Sequence, residues 1–185
     1  MNKLLDIYPQ FEWLTKGITA KTANYEQSLQ ASNNKPIDYQ DRLGVIATMK
    51  TDLEKAITTV IIYDGKAKNA YEMTQLFLAN IMITQAEIDK KRNPEHLTIE
   101  HLALLIARLV IDFTLNPNLD DYHTALGRLY YMGIGSNQMS LKAYDGTWKK
   151  YEKEMKAQLD KAIEEAAFKI DLYKKNTYKE NAVQC

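Results

Sequence analysis

LALLIARLVI, residues 102–111, holds nine apolar residues in ten and has no polar face. A helix of that kind must be enclosed by other helices, and the run falls well short of the roughly 20 apolar residues that cross a bilayer. It therefore predicts the centre of an all-α core, with Leu105 among the buried residues. Its borders agree with a helix. Thr98 is a residue type that caps an N-terminus, Glu100 sits where the helix dipole favours an acid, and Asn116-Pro117 ends the run. Arg108, the one cation inside it, is expected to snorkel or to meet an acid, as a structural arginine rather than a site residue.

Working outward, apolar residues recur every three or four positions almost everywhere, which is the helical period. Phe11, Leu14, Ile18, Tyr25 and Leu29 predict a first helix from Asp6 to about Ser32, closed by SNNKP at residues 32–36. Leu43, Ile46, Met49, Leu53, Ile57 and Val60 predict a second from Asp38, ended by Asp64-Gly65. Ala70, Met73, Phe77, Ile81 and Ile88 mark a third, which fades into DKKRNP, where Lys90, Lys91 and Arg92 suit a helix C-terminus. Beyond LNPNLDD the elements shorten: Leu119 to Met132, a glycine turn at residues 133–135, Ser136 to Tyr144, and a turn at Asp145-Gly146. A long amphipathic helix comes next, with Trp148, Tyr151, Met155, Leu159, Ile163, Ala166, Ile170 and Tyr173 as its seam; from Asn176 the tail is polar and expected to fray. The resulting expectation is one all-α helical-bundle domain of six or seven helices spanning residues 1–185. Residues 1–115 form its core, 119–175 carry a helix-turn-helix and the long last helix, and 176–185 form the tail.

Composition narrows the function classes. Basic and acidic residues balance at 24 each in a chain of 185, so no global field marks a nucleic-acid coat. The single cysteine, Cys185, excludes an internal disulfide and a Cys-rich zinc site. With no secretory signal or membrane span in view and a single cysteine, the setting expected is the reducing cytoplasm. Catalytic signatures are missing: no phosphate loop, no GxSxG, no HExxH. His96, His101 and His123 are spaced unlike a helical metal pair and read as surface or cap residues. Adjacent acids such as Asp120-Asp121 and Glu164-Glu165 diverge on a helix and read as solvated faces, with capping and charging of a helix start as the alternative for Asp120 and Asp121. The expectation is a non-enzyme with no metal and no cofactor; an enzyme would need scattered acids gathered by the bundle.

The stretch with an organised look is residues 126–159, LGRLYYMGIGSNQMSLKAYDGTWKKYEKEMKAQL. A helix, a glycine turn, a short helix, a tight turn and a third helix opening with cations is the layout of a helix-turn-helix. In that layout Thr147, Lys149, Lys150 and Lys153 point outward to phosphates or base edges, while Trp148, Tyr151 and Met155 hold the helix to the body. Residues 136–179 carry ten lysines against seven acids. Glu152 and Glu154 on the same helix would repel a phosphate backbone, and a solvated helix pairing Lys150 with Glu154 and Lys161 with Glu165 is the plain alternative.

The run YYMGIGSNQMS resembles the YYxGxSxxxIA pattern of helix-turn-helix domains similar to region 4 of bacterial sigma factors, and of one class of phage antitermination proteins of the Q type. The likeness covers about thirty residues, with Met139-Ser140 at the apolar and small positions of the bracing helix. It departs at Asp145-Gly146, and Tyr151 fits the anchor position only if the turn gains one residue. The resemblance implies a small phage-type regulator that binds nucleic acid or the transcription machinery through its C-terminal helices. The rival is a helical inhibitor or adaptor, such as a phage-encoded anti-defence protein, binding another protein through exposed aromatics, for which twelve tyrosines supply material. No membrane partner is expected; a homodimer through the C-terminal helix is.

Overall fold

The computed structural model describes residues 3–16, 39–94 and 96–183, all helix, turn or loop, with no strand among them. Ile18, Tyr25, Leu29, the SNNKP loop and Cys185 lie outside the described residues. The chain divides into two compact units, residues 1–67 with 163–185, and residues 68–162.

In the first unit, α1 (Lys3–Ile7), a 3-10 turn (Pro9–Phe11) and α2 (Glu12–Thr15) stand where one helix is expected, because Pro9 ends the first run. The second expected helix is likewise two, α3 (Tyr39–Ala47) and α4 (Asp52–Ile62). The break is chemical: the Thr51 hydroxyl accepts the Glu54 amide at 3.1 Å and the Glu54 carboxylate returns to the Lys50 amide at 3.0 Å, satisfying free donors of a new N-terminus. Asp64 and Gly65 close α4 in left-handed backbone, with Gly65 N–H on the Val60 carbonyl at 2.9 Å. Phe11, Leu14, Val45, Ile57, Val60 and Ile61 are fully enclosed. Gly44 lies so near Tyr173 that an added Cβ would stand 3.2 Å from its hydroxyl oxygen.

The second unit holds α5 (Lys68–Ile88), α6 (Ile99–Leu115), α7 (Pro117–Tyr122), α8 (Ala125–Tyr131) and α9 (Leu141–Ala143). A π-helical turn (Tyr144–Trp148) comes after them, and then α10 (Lys149–Val183), whose residues from Ile163 belong to the first unit. Thr98 caps α6 by accepting the His101 amide, and Pro117 opens α7 immediately after α6. The seven apolar residues Leu102, Ala103, Ile106, Ala107, Leu109, Val110 and Ile111 are buried, but Leu105 is only half-buried, which corrects its place in the core. α5 packs antiparallel along α6: near one end Tyr71 reaches Asp112 at 2.7 Å, and further along Gln75 donates to the Leu104 carbonyl at 2.9 Å.

Several boundaries differ from expectation. The helix expected over 119–132 is split at His123 and Thr124, with Thr124 capping α8 through the Gly127 amide. Ser136 to Tyr144 is mostly turn, and helix resumes only after the Ser140 cap. The expected tail from Asn176 is helical to Val183. The long seam is as read: Trp148, Tyr151, Met155, Leu159, Ile163, Ala166 and Ile170 are buried, with Tyr173 half-buried.

Leu109→Ala, which empties a site closed to solvent, is expected to lower the unfolding free energy by about 2–5 kcal/mol. Leu105→Ala should cost clearly less. Urea denaturation followed by circular dichroism checks the order, and a larger loss at Leu105 would contradict this placement.

Candidate functional site

The segment expected to be a helix-turn-helix has a different local geometry. At Asp145-Gly146 the backbone makes a π-helical turn instead of leaving the helix: the Lys149 amide donates to the Tyr144 carbonyl five residues back. Leu141 to Val183 is therefore a single helical run, without the turn that would set a recognition helix at a steep angle to its brace.

The four expected contact residues differ in their surroundings. Thr147 is half-buried. Lys149 bonds Asp145 at 3.0 Å, one turn back. Lys150 reaches Asp89 rather than Glu154, and lies 4.6 Å from the centre of the Tyr151 ring; Glu154 instead accepts from Gln158 at 3.0 Å. Asp89 also accepts the Tyr151 hydroxyl at 2.7 Å. The Lys150 hydrogen bond, then that of Tyr151, hold the Asp89 carboxyl below the usual range, and Asp89 in turn raises Lys150. Lys153 is exposed. Two of the four expected residues are thus occupied with carboxylates of the same unit.

Glu152 faces inward, which corrects its expected place among the outward charges. It is buried, paired with Arg128, and accepts the hydroxyl of the fully enclosed Tyr144. Arg128 also pairs with Asp120, so that acid is no solvated face, and its guanidinium lies 5.2 Å from the Phe113 ring centre. A second network surrounds Asp112, which accepts Tyr71 at 2.7 Å and Tyr131 at 2.9 Å. Burial, then the Asp112 hydrogen bond, push the Tyr131 phenol up to about 12, and raise Tyr71 further. Arg108 donates to the Tyr131 carbonyl at 3.1 Å, a structural role met by a carbonyl instead of an acid. His123 is half-buried, its ring 4.9 Å from Phe113 and 5.7 Å from Tyr131; only His96 and His101 are exposed as expected. Among the described residues no group of three or more His, Cys, Asp or Glu could hold a metal ion.

The feature that hydrophobic spacing places on the wrong side is the face of α5. Its buried positions are Ala70, Thr74, Leu78, Ala79, Met82 and Ala86, while Met73, Leu76 and Ile88 are 47%, 54% and 66% exposed, with Phe77 and Ile81 half-buried. Apolar residues stand on more than one side, so periodicity alone cannot choose; Ala79 and Ala86, two turns apart on one side, are the available signal for the face that lies against another helix. Between Glu72 and Glu87 the helix has no charged residue. A smaller apolar pair, Leu126 and Tyr130, is exposed on the short α8. No protein family matches the chain, and no curated protein or solved structure resembles it.

Two measurements check the polar interior. Arg128→Met leaves the Glu152 and Asp120 carboxylates without their cation and should destabilise by about 3–5 kcal/mol; Arg128→Met with Glu152→Gln should recover part of that in thermal unfolding. Because the folded Tyr131 phenol is raised, its contribution to stability is complete below about pH 10 and is lost as pH rises towards 12. The 295 nm titration of wild type minus Tyr131→Phe should show a phenol ionising near 12; ionisation near 10 would contradict the Asp112 contact.

Proposed function

We propose that this chain is a non-enzymatic regulator that works by binding another protein, in the manner of a helical adaptor or inhibitor. The observation that carries this reading is the outward face of α5, where Met73 and Leu76 are exposed in a charge-free stretch and Ile88 is exposed just beyond Glu87 at its end. An amphipathic surface helix normally shows polar residues to water; α5 does so at Asn80, Thr84 and Glu87, but Met73 and Leu76, with half-buried Phe77 and Ile81 beside them, form an apolar patch of the kind that marks an interaction surface. The nucleic-acid reading has less support, since Lys149 and Lys150 direct their charge to Asp145 and Asp89. The likeness of residues 126–159 to sigma region 4-like domains makes the bacterial transcription machinery the first partner class to compare.

The test is a photo-crosslinking phenylalanine at position 76 of the full chain in bacterial cells. A discrete, heavier protein adduct is expected, lost with Ile88→Asp and not formed from position 153. Absence of such an adduct would overturn the reading. So would binding to mixed-sequence duplex DNA at about 50 mM salt that weakens with Lys149→Ala and Lys150→Ala, with the log–log salt slope reduced by roughly two.

A further inference from the structure

We infer that the occupant of the α5 face is an amphipathic helix of another protein, lying antiparallel to α5 and carrying acidic residues in its first turn. This deepens the protein-binding reading and rests on it. From Met73 to Ile88 the stripe runs about 22 Å at 1.5 Å per residue, room for some four turns of a partner helix. Met73, Leu76 and the half-buried Phe77 and Ile81 keep to the three- and four-residue spacing that builds the ridges along which helices pack, and exposed Asn80, Thr84 and Glu87 lie between this patch and Ile88.

The two ends of the stripe differ in charge. At the N-terminal end Lys68 and Glu72 are exposed and pair with each other at 3.7 Å, leaving no net charge. At the C-terminal end Lys90, Lys91 and Arg92 are all exposed. They are held beside Ile88 by a tight reversal in which Lys90 adopts left-handed backbone and Lys91 N–H reaches the Ala86 carbonyl at 2.9 Å. Asp89 does not neutralise them, because it already accepts from Lys150 and Tyr151. Set against the exposed Glu87, the three cations leave a surplus of two. Acids are most favourable in the first turn of a helix, and an antiparallel partner lays its first turn over the last turn of α5. A second copy of this chain fits poorly. Parallel pairing of two α5 helices sets cations on cations, and antiparallel pairing sets them on the neutral Lys68–Glu72 end.

The probes are three labelled synthetic peptides, each long enough for about four to five helical turns. The first has a leucine stripe and aspartate and glutamate in its first turn, the second has lysines at those positions, and the third has the stripe scrambled. Fluorescence anisotropy with the full chain at about 150 mM salt should show the acid-led peptide binding roughly ten-fold or more tighter than the lysine-led one. Leu76→Asp, at an exposed position, should abolish binding of both with the helical spectrum unchanged. Lys91→Glu with Arg92→Glu should remove or reverse the preference. Equal binding of the acid-led and lysine-led peptides, lost with Leu76→Asp, would overturn the acid-led partner and leave the protein-binding face standing. Binding no tighter than that of the scrambled peptide would overturn both. Self-association in sedimentation equilibrium that Leu76→Asp removes would assign the face to a second copy instead.

Discussion

A helix buried along most of its circumference constrains what surrounds it, and α6, partly open to water along His101, Leu104, Leu105, Arg108 and Asp112, is that helix in the unit of residues 68–162. Its packing with α5 sets much else. Ala79 and Ala86 line the buried side of α5, and small side chains let helix axes approach closely. Once that side is turned inward, the larger Met73, Leu76 and Ile88 must stand on the other. The apolar residues on the outer side are thus a direct result of choosing the close-packing side, in a helix that carries large apolar residues on more than one face.

The same unit keeps charge inside, arranged so that each buried group is answered. Asp112 on α6 collects hydroxyls from α5 and α8, and Arg128 on α8 joins Asp120 of α7 to Glu152 of α10. A buried pair of this sort is weak evidence of stability, because desolvation offsets much of the attraction, but losing one member is severe. These contacts fix which way α8 and the start of α10 face. They also draw carboxylates inward and leave Lys149 and Lys150 paired at the surface. That arrangement makes a poor cationic track for phosphates.

Much of the fold is legible in the sequence. The enclosed helix at 102–111, its Thr98 cap, the Asp64-Gly65 stop and the seam from Trp148 to Ile170 emerge from period and end chemistry alone. The features that escape it do so for physical causes. Thr51 and Glu54 form a capping box inside a stripe that keeps its phase across the break, so hydrophobic spacing hides the interruption. For α5 apolar residues on two sides compete, and the bulkier set points to the wrong one, while the small Ala79 and Ala86 mark the packed side. Glu152, Asp120 and His123 look like surface groups because their partners lie on other helices, which spacing along one helix does not reveal. Met73 and Ile88, two residues of the proposed contact face, therefore pass for core in the pattern although they stand in water in the fold.

The π-helical turn at Tyr144–Trp148 has a consequence for azimuth. One residue rotates an α-helix by about 100°, so a single extra residue in the wider turn changes the phase of every later position. In this chain those positions make up a rod of 35 residues, Lys149–Val183. The additional residue that a helix-turn-helix reading needs before Tyr151 is thus absorbed within the helix as rotation, without opening a loop. Tyr151, Met155 and Leu159 inherit their inward heading from that one residue, as the bearing of a long shaft is set by a shim at its base.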